Sequence, residues 1–282
     1  MSVVLALLSS LLWGTADFLG GTATRRLPVA WVVGGSQSVA LLALVPVVVL
    51  AGSSPEHPWS GVAAGVVGVA ALGAFYAALA GGTMGVVAPI AALGAGIPVA
   101  VGLARGEVPS ELQIAGIVTA IVGVVLASGP ELSGGASARP LLLAGAAAVG
   151  FGLVVVLIAD SSKGAAGSLI ATLLVMRGTS VGLLVVVLLG ARLLGVSRGG
   201  PLRPGRADIP LLAAIGFGDV GANGSFAVAT RSGLLSVVAV LASLYPVVTV
   251  LLARQVHGER IRPVQIVGAL GTLGGVVLLA VG

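Results

Sequence analysis

Arg177 stands near the middle of Ser168–Leu189, an otherwise apolar run, and a guanidinium stays protonated even where solvation is poor. At membrane depth such a charge costs from roughly 2.5 kcal/mol on insertion scales to above 10 kcal/mol on an isolated helix. It therefore needs a counter-charge, an aqueous cavity or an anionic ligand. Asp219 is the natural complement. It lies near the centre of Ile209–Ala229, with Asn223 four positions on and so on the same helical face, which Phe226 continues. An ion pair with Arg177 and a place on a cavity wall are both open to Asp219, and the two are compatible. Asp17, one turn after Trp13, either lines the same space or pairs with Arg25 or Arg26. Tyr245 offers a hydroxyl beside Pro246, or a packed ring whose hydroxyl is satisfied elsewhere. With Gln37 and Tyr76 as weaker members, the expected substrate-binding set is Arg177, Asp219, Asn223, Tyr245, Asp17, Gln37, Trp13 and Tyr76.

No nucleophile–base pair and no Gly-rich phosphate loop after a strand is visible, so nothing points to an enzyme. Cysteine is absent, and His57 and His257 lie in loop-like contexts without metal-ligand spacing, so no metal or other cofactor is expected. The net charge of +5 comes from arginines in connectors. In a chain of this kind that pattern sets topology and does not imply nucleic-acid binding.

The elements that must position these residues are membrane helices. The chain is 57% hydrophobic and 8% charged, with a mean hydropathy of +1.18, where soluble domains carry about 25% charge. About 20 apolar residues cross the hydrocarbon core. Runs of that kind occupy Val3–Gly21, Ala30–Gly52, Gly61–Ala80, Gly85–Ala104, Leu112–Gly129, Leu141–Ala159, Ser168–Leu189, Ile209–Ala229, Leu234–Ala253 and Val264–Val281. The first is read as a span and not a cleavable signal, because no basic segment precedes it and it exceeds a signal core. The 45 glycines suit closely packed membrane helices, although spacings such as Gly61–Gly65 are expected by chance in so Gly-rich a chain.

An internal repeat organises the spans. Arg105-Gly106-Glu107 followed by Gln113-Ile114-Ala115-Gly116 resembles Gly258-Glu259 followed by Gln265-Ile266-Val267-Gly268. Pro98 and Pro246 sit mid-span in corresponding places, where proline removes a backbone hydrogen bond and bends or breaks a helix. The same alignment sets Gln37 opposite Arg177. Glu107 and Glu259 are expected to be structural, favouring initiation of the helix that follows each, and Ser110-x-x-Gln113 reads as a capping box. The reading is an all-α membrane protein of ten transmembrane helices, with repeats at 1–129 and 140–282 joined by a polar linker at 130–139. Five spans per repeat is odd, so the repeats enter the bilayer inverted, a signature of secondary transporters.

Taken together, Leu12-Trp13-Gly14, Pro98 and Pro246, Glu107 and Glu259, and Gln265-Ile266-Val267-Gly268 resemble the EamA branch of the drug/metabolite transporter superfamily over essentially the whole chain. The resemblance implies a basket of ten helices around a central cavity, working by alternating access, often to export amino acids, metabolites or drugs. An arginine frequent in the second and seventh spans of such proteins maps onto Arg177, whereas the first repeat has Gln37. The second repeat carries Phe151-Gly152 in place of Trp-Gly.

The expected function is a secondary transporter of the cell (inner) membrane that exports small metabolites or amino acids, with proton coupling, as a monomer or homodimer. The alternatives are sugar or cation uptake in the same fold, or a non-transporting membrane assembly component. Orientation is read two ways. Arg25, Arg26, Arg139, Arg192, Arg198, Arg203, Arg206, Arg254, Arg260 and Arg262 follow odd-numbered spans, against Arg105, Lys163 and Arg231 after even ones. That bias places both termini outside; the resemblance implies both inside.

Overall fold

The computed structural model describes residues 1–128, 138–162, 166–194, 204–257 and 263–282, and every regular element among them is helical. In chain order the α-helices are α1 (Ser2–Thr24), α2 (Val29–Leu50), α3 (Pro58–Gly81), α4 (Met84–Ala92), α5 (Gly96–Ala104) and α6 (Glu111–Ser128). They continue as α7 (Ala138–Ser161), α8 (Ala166–Leu193), α9 (Ile209–Thr230), α10 (Leu235–Ala242), α11 (Tyr245–His257) and α12 (Pro263–Val281). Among the described residues eight stretches are long and apolar enough to cross a membrane, counting α4–α5 as one and α10–α11 as another. Glu111–Leu126 in α6 and Ile266–Leu279 in α12 are shorter apolar helices. The eight make this a multi-pass membrane protein. Of the expected linker, 130–137 lies outside the described residues, and Ala138 and Arg139 already belong to α7.

Local chemistry explains several helix ends. α3 opens on Pro58 and α9 on Ile209-Pro210, where the missing proline N–H belongs to the group that no helix satisfies. The expected capping box holds: Ser110 N donates to Gln113 Oε1 at 3.0 Å, and Gln113 N donates to Ser110 Oγ at 3.2 Å.

Both mid-span prolines lie just past a break. α4 ends at Ala92 and passes through a 3₁₀ turn, Leu93–Ala95, before α5 begins. α10 ends at Ala242, and Ser243 and Leu244 separate it from α11. Pro98 and Pro246 fall in the first turn of the second half-helix, where a fixed φ suits helix initiation and no donor is lost. The breaks are pressed onto neighbouring helices through glycines. A Cβ at Gly152 in α7 would lie 2.4 Å from Gly94 O, and one at Gly14 in α1 would lie 2.5 Å from Tyr245 O. Only glycine allows backbone to approach backbone this closely.

Long-range packing follows one plan. α1 packs on α9 and α7 on α3, so the first helix of each half meets the third of the other. α2 packs on α8 and α6 on α12, while the broken spans lie against α1 and α7. Gly116 faces Leu279 and Gly123 faces Thr272, which makes α6 and α12 antiparallel. Large apolar residues such as Val186, Leu189, Leu270 and Val277 are exposed on the outside, as a lipid solvent requires.

Candidate functional site

α8 carries Arg177 inward because its backbone rests directly on α3. Cβ atoms at Gly61 and Gly65 would approach Thr172 O to 2.9 Å and Met176 O to 2.6 Å. Ser180 Oγ, one turn beyond Met176, donates to Gly65 O at 3.0 Å. The Gly61–Gly65 spacing, weak as a motif, is thus the contact that seats the arginine helix. Arg177 is 3% exposed.

Its guanidinium is held on one side only. Nη1 donates to Gln37 Oε1 at 2.7 Å and lies 3.0 Å from Asp219 Oδ2. Gln37 Nε2 in turn donates to Asp219 Oδ2 at 3.1 Å, closing a three-residue ring across α2, α8 and α9. Asn223 Nδ2 donates to Asp219 Oδ1 at 2.8 Å and to Asp219 O at 2.7 Å. Both oxygens of Asp219 are therefore occupied. By contrast, Nε and Nη2 of Arg177 are buried with no hydrogen-bond partner. These two nitrogens are neighbours on one edge of the planar guanidinium, the fork that a carboxylate's two oxygens match.

The ring forms part of the wall of a cavity of about 100 Å³ at the centre of the bundle. Trp13, Asp17, Ser243 and Tyr245 complete its polar lining, and Leu72, Phe151, Val154 and Met176 supply apolar wall. Both helix breaks reach it, through Gly94 and Ala95 on one side and Ala242 and Ser243 on the other. Trp13 packs on Phe226 with ring centroids 5.9 Å apart, which continues the Asp219–Asn223 face as expected.

One comparison bears directly on this architecture. The family model for the EamA-like transporter family matches residues 1–129 and again 138–281. The chain belongs to the EamA-like transporter family. EamA-like proteins are membrane transporters of the drug/metabolite superfamily and not enzymes. A comparison with curated proteins gives no match. Among solved structures, a crystal structure described only as that of a protein is similar over 99% of this chain and 96% of that chain, at a TM-score of 0.74 and 18% identity. A likeness at that identity shows the fold alone.

Within this EamA-like fold, seven of the eight expected binding residues converge on the cavity: Trp13, Asp17, Gln37, Arg177, Asp219, Asn223 and Tyr245. Tyr76 does not. It is 1% exposed, and a Cβ on Gly20 of α1 would lie 2.2 Å from its hydroxyl, so it is buried against α1. Arg26 pairs with Asp208 at 2.9 Å, and Asp17 makes no ion pair or hydrogen bond among the described residues. Tyr245 Oη points at Ala88 O from 3.5 Å, a long contact. Pro98 lines the cavity and Pro246 is buried at the start of α11.

Glu107 corrects the sequence reading. Its oxygens accept from Leu235 N at 2.6 Å and Ser236 N at 2.9 Å, so it caps α10 in the other half of the chain and not the helix that follows it. The positive end of a half-helix and two orphan N–H groups explain the attraction. Glu259 lies outside the described residues. Beside Glu107, Arg105 makes a two-pronged pair with Asp160 at 2.5 and 3.0 Å, which holds its guanidinium above the ordinary value. Sequence reasoning missed this pair, and missed Leu72, Phe151 and Met176 as wall residues, because apolar positions carry no chemical signal. Among the described residues no cluster of three or more His, Cys, Asp or Glu offers a metal ion a ligand set.

Proposed function

We propose that this chain is a secondary transporter of the cell (inner) membrane that exports small metabolites, amino acids foremost, by alternating access. The carrying observation is the free edge of Arg177: Nε and Nη2 buried without an acceptor on a residue of the cavity wall. A substrate carboxylate would satisfy both donors at once, while Nη1 stays committed to Gln37 and Asp219. Asp219 keeps the guanidinium partly neutralised at low dielectric when no substrate is bound.

Ten spans arranged as two inverted five-helix repeats, 1–129 and 140–282, are part of the same reading. The reciprocal packing of α1 on α9 and α7 on α3 supports it, as does the pair of matched helix breaks at the cavity. Gln37 and Arg177, equivalent by the repeat, meet across the site and hydrogen-bond to each other. Gly282 packs beside Ser110, and Gly233 beside Ser2, which puts both termini at one end of the bundle. The excess of arginines at the opposite end favours termini outside.

Counterflow in proteoliposomes tests the function. Liposomes loaded with unlabelled amino acid are expected to accumulate the labelled one when the protein is present. A membrane component with no transport activity would exchange nothing.

A further inference from the structure

Of the cavity's two carboxyl groups, one is fully engaged and the other is not. Asp219 has both oxygens hydrogen-bonded, by Asn223 on Oδ1 and by Gln37 and Arg177 on Oδ2. Gln37 spends its amide on the same ring. Asp17, on α1, is 8% exposed and lines the cavity, and none of the described residues donates to it or pairs with it. A carboxylate that well buried is costly without a cationic partner. Asp17 shares the cavity wall with Asp219, Asn223 and Tyr245, and among the described residues no cluster of three or more His, Cys, Asp or Glu supplies the six or more oxygens that a hard divalent cation such as Ca²⁺ collects. An ammonium group needs fewer acceptors and fits a single carboxylate.

We propose that Asp17 is the cation subsite of this cavity and receives the ammonium group of the transported molecule. The inference rests on the reading of Arg177 as carboxylate anchor and deepens it. With one pole of each sign on a single cavity, the substrate is a zwitterion, and the wall of Trp13, Leu72, Phe151, Val154 and Met176 asks for an apolar side chain. The substrate class is therefore the free apolar amino acids.

Binding to purified full-length protein can be read by thermal shift and titration. The probes are leucine, valine, methionine and phenylalanine, each with its amide, which lacks the carboxylate, and its des-amino acid, which lacks the ammonium. Wild-type protein is expected to prefer at least one free amino acid to both analogues. Asp17→Asn should weaken that amino acid by roughly 10-fold or more, the scale of one charge-assisted hydrogen bond, and leave the des-amino acid unchanged. Retained binding of the des-amino acid also shows that the variant is folded. Asp17→Glu should keep the preference. The proposal is overturned if the des-amino acid matches the amino acid on wild type, or if Asp17→Asn keeps the full preference, the result expected of a residue that only holds a proton. Should the amide bind as well as the free acid while Asp17→Asn weakens both, the Asp17 subsite stands and the Arg177 anchor falls. Absence of binding by all twelve compounds would sink both.

Discussion

Replacing Arg177 by lysine separates the ion pair from the anchor. Lysine keeps a positive charge that can face Gln37 and Asp219, the partners now served by Nη1 at 2.7 and 3.0 Å. It has no planar fork, so the edge formed by Nε and Nη2 disappears. Each charge-assisted hydrogen bond to a carboxylate is worth about 1.5–3 kcal/mol. An ammonium can restore at most one of the two, so the expected loss is about 1.5–3 kcal/mol, or roughly 10- to 150-fold in affinity. Arg177→Ala removes charge and fork together and leaves Asp219, whose side chain is 18% exposed, without its counter-charge. Breaking a buried pair in this way costs about 3–5 kcal/mol of stability. The assay compares melting temperature and carboxylate-substrate affinity for wild type, Arg177→Lys and Arg177→Ala in one detergent. Lysine is expected to melt near wild type and bind weakly, and alanine to melt lower. A lysine variant that binds the carboxylate at wild-type strength would refute the fork argument.

Three further outcomes follow, two from the packing and one from the distribution of arginines. At Gly94 an added Cβ would meet Ala148 O at 2.1 Å, so Gly94→Ala should destabilise by more than the roughly 1–3 kcal/mol usual for overpacking, whereas Gly224→Ala, with nothing within 4 Å, should stabilise by about 0.5–1 kcal/mol; melting temperatures of the two variants check the contrast. Glu107→Ala strands the N–H groups of Leu235 and Ser236 and should cost about 1–3 kcal/mol, whereas Glu111→Ala, on the exposed first turn of α6, should change the melt by less than about 0.5 kcal/mol. A periplasm-active reporter fused after Gly282 should be active and a cytoplasm-active one silent. The opposite pattern would reverse the orientation.

The amino-acid sequence by itself determined the solvent and the class of fold. Apolar runs of span length leave an all-helical membrane protein as the reading, because in lipid a helix satisfies its own backbone. Sequence also marked the residues that had to be special. Arg177, Asp219 and Asp17 are conspicuous since charge at membrane depth is expensive, and Pro98 and Pro246 since a proline mid-span points to a bent or broken helix. The partners were another matter. That Glu107 caps α10, that Tyr76 turns into α1, and that Arg105 meets Asp160 depend on helices more than 50 residues apart in sequence. The division of labour between the two cavity carboxyls was equally invisible, because one-dimensional spacing tells which residues share a helical face but not which faces meet. Only the tertiary structure decided that Asp219 is consumed by Arg177, Gln37 and Asn223 while Asp17, on the same cavity, makes no ion pair or hydrogen bond among the described residues. The physical reason is that a partner in hydrocarbon is chosen by the close approach of backbones, which glycines such as Gly14, Gly65 and Gly152 permit at a few contacts.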